Sequence, residues 1–187
     1  MKKIFLTVAI LIIGVWYISI PFVGPNKYVP SVTPTPKHVA QSMKLTSSAF
    51  ANEEKISVIY TCDGQKIHPP FSISGIPDGT KSLAMIVDDP DAPAGTFTHW
   101  IIWNIDPTAV DITAGQVPQR SIEGINSAGS TGYVPPCPPS GSHRYFFTLF
   151  AVDTTIGLDG KSKKADLENA MKGHIIEQTN LIGTFGR

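Results

Sequence analysis

Apolar and polar positions fall into four patterns along the chain. The first is an uncharged run, IFLTVAILIIGVWYISIPFV at 4–23, preceded by Lys2 and Lys3. At about 1.5 Å rise per residue such a run extends roughly 30 Å, the thickness of a bilayer core, and it predicts one N-terminal transmembrane helix. The second is a Pro- and Thr-rich stretch at 24–42 in which no apolar periodicity appears, which predicts an extended tether. The third comprises three segments that are apolar at both alternating positions: SLAMIVD (82–88), HWIIWNI (99–105) and HRYFFTLFAVD (143–153). In the last of these, Tyr145, Phe147 and Leu149 share a face with His143, while Phe146, Phe150 and Val152 take the other. Strands of this kind belong in the middle of a layered core. KISVIYT (55–61) reads as a fourth, weaker strand. The last pattern is a helical stripe of Leu167, Ala170, Met171, His174, Ile175 and Gln178, which predicts a helix over 163–180 with Gly183 near its stop. On that stripe His174 reads as a packed structural residue.

Composition narrows the picture. A chain of 187 residues, 42% hydrophobic, suits one globular domain, placed at 43–187, plus the two N-terminal segments. The chain has sixteen glycines and sixteen prolines, and those that punctuate the strands point to antiparallel β connections, so the expected class is mainly β. Fifteen basic residues balance fifteen acidic ones with no basic run, which leaves no electrostatic footprint for nucleic acid. Lys2 and Lys3 place the N-terminus in the cytoplasm and the domain outside it. The bulky end of the apolar run (Trp16, Tyr17, Ile18, Ile20) lacks an A-x-A site, which favours a retained single-pass anchor in the cell membrane over cleavage to a secreted or periplasmic domain. An exported domain would permit a disulfide between Cys62 and Cys137, but their spacing equally allows two separate thiols.

The candidate chemistry lies at strand ends. In DDPDAPAGTFTHW (88–100) one strand finishes at Asp88 and Asp89, and the next begins at His99. Antiparallel pairing brings these to one end of a sheet. If the strand that starts at His143 runs in the same direction as the one starting at His99, then Asp89, Asp91, His99 and His143 rim one cavity. Asp88 reads as strand-end scaffolding, and Arg144, alternating away from His143, as half of a buried structural ion pair. Asp89-Pro90 and Ala92-Pro93 are expected to be trans. No H-x-H or H-x-x-x-H pair sets histidines at metal-ligand spacing, so neither a metal nor another cofactor is expected. No G-x-S-x-G elbow presents a nucleophile, although Ser142 adjoins His143. An anion pocket fits better. Two histidines supply N–H donors and can gain charge near neutral pH, a Gly/Pro loop can offer backbone amides, and a carboxylate can orient an imidazole.

Four blocks then become specific when taken in order: YTCDG (60–64), DDPDAP (88–93), HWIIWNI (99–105) and PPCPPSGSHRYFFTLFAVD (135–153). Together they resemble the phosphatidylethanolamine-binding protein (PEBP) family, in its bacterial and archaeal Raf-kinase-inhibitor-like branch, from MKLTSSAF at 43 to the terminal LIGTFGR. The resemblance implies an antiparallel β-sandwich with a small anion cavity and a C-terminal helix. It carries the pocket aspartate to Asp89, the pocket histidines to His99 and His143, and further ligand-binding positions to Asp91, Pro139, Gly141 and Tyr145. Family members bind phosphorylated or carboxylated head groups, some inhibit kinases or serine proteases, and no catalytic activity is general among them. The chain departs from the usual GYGGPCPP, with Val134 and Pro135 in place of glycines. The anchor is not a family feature either, and an exported domain would not meet cytoplasmic kinases. The expected function is therefore a membrane-tethered, extracytoplasmic binder of a phosphate, phospho-head-group or carboxylate, without enzymatic activity. The alternatives are an inhibitor of proteases or other enzymes that contacts its partner through 135–141, and an ester hydrolase using His143 with Ser142 or water. The expected partners are a small anion, the membrane through 4–23, and a protein partner or second copy.

Overall fold

The computed structural model describes residues 42–187; the apolar segment 4–23 and the tether behind it lie outside the described residues. In chain order the elements are β1 (Lys44–Thr46), a 3-10 turn (Val58–Tyr60), β2 (Phe71–Ser74), β3 (Ser82–Asp89), β4 (Phe97–Ile105), β5 (Asp111–Ile112), β6 (Ile122–Glu123), β7 (Ser142–Val152), α1 (Lys164–Met171) and β8 (Ile175–Gly186). They form a three-stranded sheet, β1-β2-β5, and a five-stranded sheet, β6-β4-β3-β7-β8. Both sheets are antiparallel.

The three strands that are apolar on both faces are the inner strands of the larger sheet, and each face has its cover. Leu83, Met85, Val87, Trp100, Ile102, Phe147 and Leu149 pack against Phe71, Ile73 and Ile112 of the smaller sheet. Ala84, Ile86, Ile101, Trp103 and Val152 turn the other way and meet Leu167 and Met171 of α1. Burying each of those two helix side chains contributes roughly 1.5–3 kcal/mol, which is what holds a helix of two turns on the sheet. Because β3 is antiparallel to both β4 and β7, those two strands run in the same direction. The end of β3 and the starts of β4 and β7 therefore coincide, as the sequence pattern predicts. The described peptide bonds are all trans, those before Pro90 and Pro93 included.

Two expected elements differ. The helix predicted over 163–180 ends at Met171. Gly173 takes a left-handed φ of 83°, and from Ile175 the chain pairs with β7 as an edge strand. The governing period there is two: Leu181, Gly183 and Phe185 face inward. Gly183 is thus a strand glycine, where an added Cβ would lie 2.5 Å from Ile56 Cγ1. His174 is not packed on a stripe. It sits in the turn, half exposed, with Nδ1 2.7 Å from Asp153 Oδ1. The second difference is at 55–61, where only Lys55 bridges to Thr184. Ile56 is buried, the chain then turns through Val58–Tyr60, and Val58 and Ile59 face solvent. That turn delivers Cys62 to Cys137, and the two are joined in a disulfide with Cα atoms 5.4 Å apart.

Candidate functional site

The coincident ends of β3, β4 and β7 open onto a cavity of about 210 Å³. Its polar lining is Asp89, His99 and His143; its walls include Phe97, Val134, Pro135 and Pro139. Asp89, the last residue of β3, accepts from His143 Nδ1 at 2.7 Å through Oδ2 and from the Asp91 amide at 2.8 Å through Oδ1. With Nδ1 committed to the carboxylate, His143 has only Nε2 to offer a ligand.

His99 is fixed from the other side. Its Nδ1 lies 2.7 Å from the Val134 carbonyl. A carbonyl can only accept, so Nδ1 carries the proton, and Nε2 of the neutral ring presents a lone pair. Burial pushes the pKa of His99 below the ordinary histidine value, against the pull of the Val134 bond and Asp89, so the ring is neutral near pH 7. The expected gain of charge near neutrality does not hold for this histidine. Among the described residues three buried side-chain polar atoms lack partners: His99 Nε2, the Tyr145 hydroxyl and Trp103 Nε1. The first two belong to rings in edge-to-face contact, with centroids 5.2 Å apart. Trp103 lies on the opposite face of the sheet, against α1.

The other sequence-predicted residues separate into two groups. Pro139 lines the cavity, whereas Asp91, Gly141 and Tyr145 stand outside its lining. Asp91 holds Arg144 with a forked pair, from Nε at 2.9 Å and Nη2 at 2.7 Å, and also accepts the Arg144 amide at 2.9 Å. The guanidinium brings the Asp91 carboxyl down to about 2. The ion pair expected for Arg144 forms, but at the surface: its side chain is 56% exposed. A long guanidinium stem at the exposed start of β7 reaches Asp91 without entering the core. Gly141 takes a φ of 70° where the chain turns into β7. Tyr145 is fully buried and backs the His99 ring. Asp88 is the expected scaffold: Thr98 Oγ1 donates to it at 2.8 Å and Lys164 Nζ at 2.6 Å. Ser142 is exposed and makes no hydrogen bond to His143 among the described residues. Among the described residues no three His, Cys, Asp or Glu side chains cluster as a metal shell would require.

Comparison with known proteins accounts for this framework. Residues 46–186 match the family model for phosphatidylethanolamine-binding protein. The chain belongs to the PEBP family. A UPF0098 protein of Methanothermobacter thermautotrophicus is 46% identical over 150 residues, covering 78% of this chain and 99% of the relative. One from Pyrococcus horikoshii is 47% identical over 150 residues, covering 75% of each chain. Among solved structures, a PEBP homologue of Chlamydia trachomatis superposes with a TM-score of 0.76 at 40% identity, over 78% of this chain and 98% of that one. YbcL of E. coli, a member of the mammalian PEBP family, gives 0.74 at 27% identity, over 79% and 99% of the two chains.

In this PEBP domain two features were not legible in the sequence, one in the cavity wall and one outside its lining. Cys137 lines the cavity, and its disulfide, together with the 3.0 Å bond from the Cys62 amide to the Pro136 carbonyl, ties the 134–139 wall to the Val58–Tyr60 turn. Arg187 adds a clasp on Asp63, with Nε 3.2 Å from Oδ2. The missed residue is His68, buried and stacked on Trp100 at 4.7 Å between centroids. Trp100 in turn donates to Glu123 Oε1 at 2.7 Å. His68 precedes two prolines with no second histidine at a telling distance, so nothing in its spacing marks it.

Proposed function

We propose that this PEBP domain binds a small anionic group, a phosphate, phospho-head-group or carboxylate, in the cavity at the ends of β3, β4 and β7. The observation that carries the reading is the unmatched His99 Nε2. A buried polar atom left without a partner costs about 1–3 kcal/mol, which a ligand that fills the cavity can recover. His143, steadied by Asp89, supplies a second polar contact, and the proline and phenylalanine walls suit the carbon portion of a head group. Val134 and Pro135 set the far wall where the usual family pattern has glycines, so ligand shape is decided there.

Binding without turnover is part of the proposal, and the exposure of Ser142 away from His143 supports it. So is location: the uncharged run 4–23 behind Lys2 and Lys3 supports a single-pass anchor with the domain outside the cytoplasm, and the Cys62–Cys137 disulfide suits an oxidising compartment. NMR titration with phosphate and phosphoethanolamine tests the site. Shifts centred on the His99 and His143 rings are expected, and unperturbed rings at saturating ligand would refute it. Intact mass of the membrane-extracted chain tests the anchor, which retention of residues 4–23 supports and cleavage disproves.

A further inference from the structure

We propose that the cavity takes an anion together with one proton, shared between His99 Nε2 and a ligand oxygen. It would thereby prefer a phosphoryl group, which can keep a proton, over a sulfuryl group of the same shape, which cannot. The inference rests on the anion-pocket reading and adds a ligand class to it.

Groups from several segments surround His99. From β3 comes the Asp89 carboxylate, with Asp88 acting on the charge from the far side of the sheet, from β7 the His143 ring and Tyr145, and from the 134–139 wall the Val134 carbonyl. Its own strand contributes the Phe97 ring, 4.8 Å away between centroids. None of these donates a hydrogen bond to Nε2, which is buried in a residue only 4% exposed. No lysine or arginine lines the cavity. Arg144, on β7, is already held by Asp91, and Lys164, on α1, by Asp88. A fully deprotonated oxyanion would thus set an oxygen lone pair against the imidazole lone pair, close to the Asp89 carboxylate and without a fixed positive charge to balance it. A ligand bearing P–OH resolves this, because it donates to His99 Nε2 while its other oxygens accept from His143. His143 donates from Nε2 only when both ring nitrogens carry protons, a requirement that phosphoryl and sulfuryl oxygens share. Sites that accept a hydrogen bond from a ligand hydroxyl reject analogues lacking it because the buried acceptor is left unpaired. His99 is then the residue that sets specificity, and the Val134 carbonyl positions it by fixing the tautomer.

The discriminating pair is phenyl phosphate and phenyl sulfate. Phosphate monoesters lose their second proton near pH 6, so the bound monoanion and the sulfate ester match in shape and charge and differ by one proton. Calorimetry on the full-length protein in detergent at about pH 7.5, run in two buffers of different ionisation enthalpy, reads both affinity and protons taken up. Phenyl phosphate is expected to bind at least about tenfold tighter than phenyl sulfate. It should take up about one proton more than phenyl sulfate does, and its affinity relative to phenyl sulfate should fall about tenfold per pH unit above its second pKa. His99→Gln, whose amide can donate, is expected to abolish the extra uptake and bring the two affinities within about threefold. If this variant does not fold, the wild-type proton count decides alone. Equal wild-type affinities with equal proton uptake overturn the proton-sharing inference and leave the anion pocket standing. Failure of both probes to bind or to move the His99 and His143 signals overturns the pocket reading and this one with it.

Discussion

Asp88 and Asp89 are neighbours in the chain and face opposite sides of the larger sheet. On the helix side, Asp88 has a partner on each oxygen, the Thr98 hydroxyl and the Lys164 ammonium. On the cavity side, Asp89 is equally well supplied, by His143 and the Asp91 amide. The difference lies one bond further out. His143 keeps a ring nitrogen in reserve, and His99 beside it has a buried nitrogen with nothing to bond. Both carboxylates look alike in a list of charges. What separates scaffold from site is the number of donors and acceptors left unmatched among their partners.

That contrast can be broken or sharpened by experiment. The largest effect is expected from Cys62→Ser with Cys137→Ser, since the disulfide fastens the cavity wall and spans a sequence separation of 75. The entropy of closing such a loop corresponds to about 4 kcal/mol of stability, readable by urea denaturation. A loss below about 1 kcal/mol would mean that the wall is held without the disulfide. Next come the carboxylates themselves. Asp88→Ala leaves the Lys164 and Thr98 groups unpaired and should lower stability by about 1–3 kcal/mol, with phenyl phosphate affinity changed less than about twofold. Asp89→Asn should do the reverse at the ligand, weakening phenyl phosphate by about ten- to a hundredfold as the His143 ring loses its orienting charge. If the two variants behave alike, the division into closed and open networks fails.

A smaller effect is expected with pH. Burial lowers the pKa of both His68 and His99 from 6.5, so below that value the unfolded chain binds protons that the folded chain refuses. Stability should therefore fall as pH drops from the ordinary histidine range towards the depressed values. Saturating phenyl phosphate should blunt the loss by letting His99 share a proton, a comparison that melting curves at stepped pH can make. The smallest change concerns the exposed pair beside the cavity. In Arg144→Gln the Asp91 carboxyl should return from about 2 towards 3.8 by NMR titration, with the melting temperature almost unmoved. Because the Asp91 pKa is depressed, the pair's contribution is present above the ordinary carboxylate range and lost only as pH falls through the folded value.

The legible part of the fold was its centre. β3, β4 and β7 announce themselves because both alternating faces are apolar, and their shared direction follows from antiparallel pairing to β3. This is also why Asp89, His99 and His143 could be brought together on paper. β8 was misread because residues 163–175 do hold a short helix; Leu167 and Met171 form its buried stripe, and Ile175 prolongs that stripe numerically past the turn at Gly173. β1, β2, β5 and β6 run for two to four residues, too short for any period to show. The tautomer of His99 was hidden for a different reason. It depends on a main-chain carbonyl at Val134, 35 residues away, and side-chain types say nothing of where a carbonyl points. Cys62 and Cys137 met only because the chain turned at Val58–Tyr60, where a strand was expected.

The way β3 sits between β4 and β7 has a consequence for the order in which the chain becomes competent. Asp89 and His99 come from one hairpin and can approach each other early, through local contacts. His143 lies 54 positions from Asp89 and arrives only when β7 docks on the far side of β3, a long-range step that is slow to form. A chain with only the hairpin made would hold a carboxylate and an imidazole side by side with no enclosure around them. The ability to hold a ligand and the completion of the sheet would then appear in the same kinetic phase, so a ligand that binds here would report on finished molecules alone.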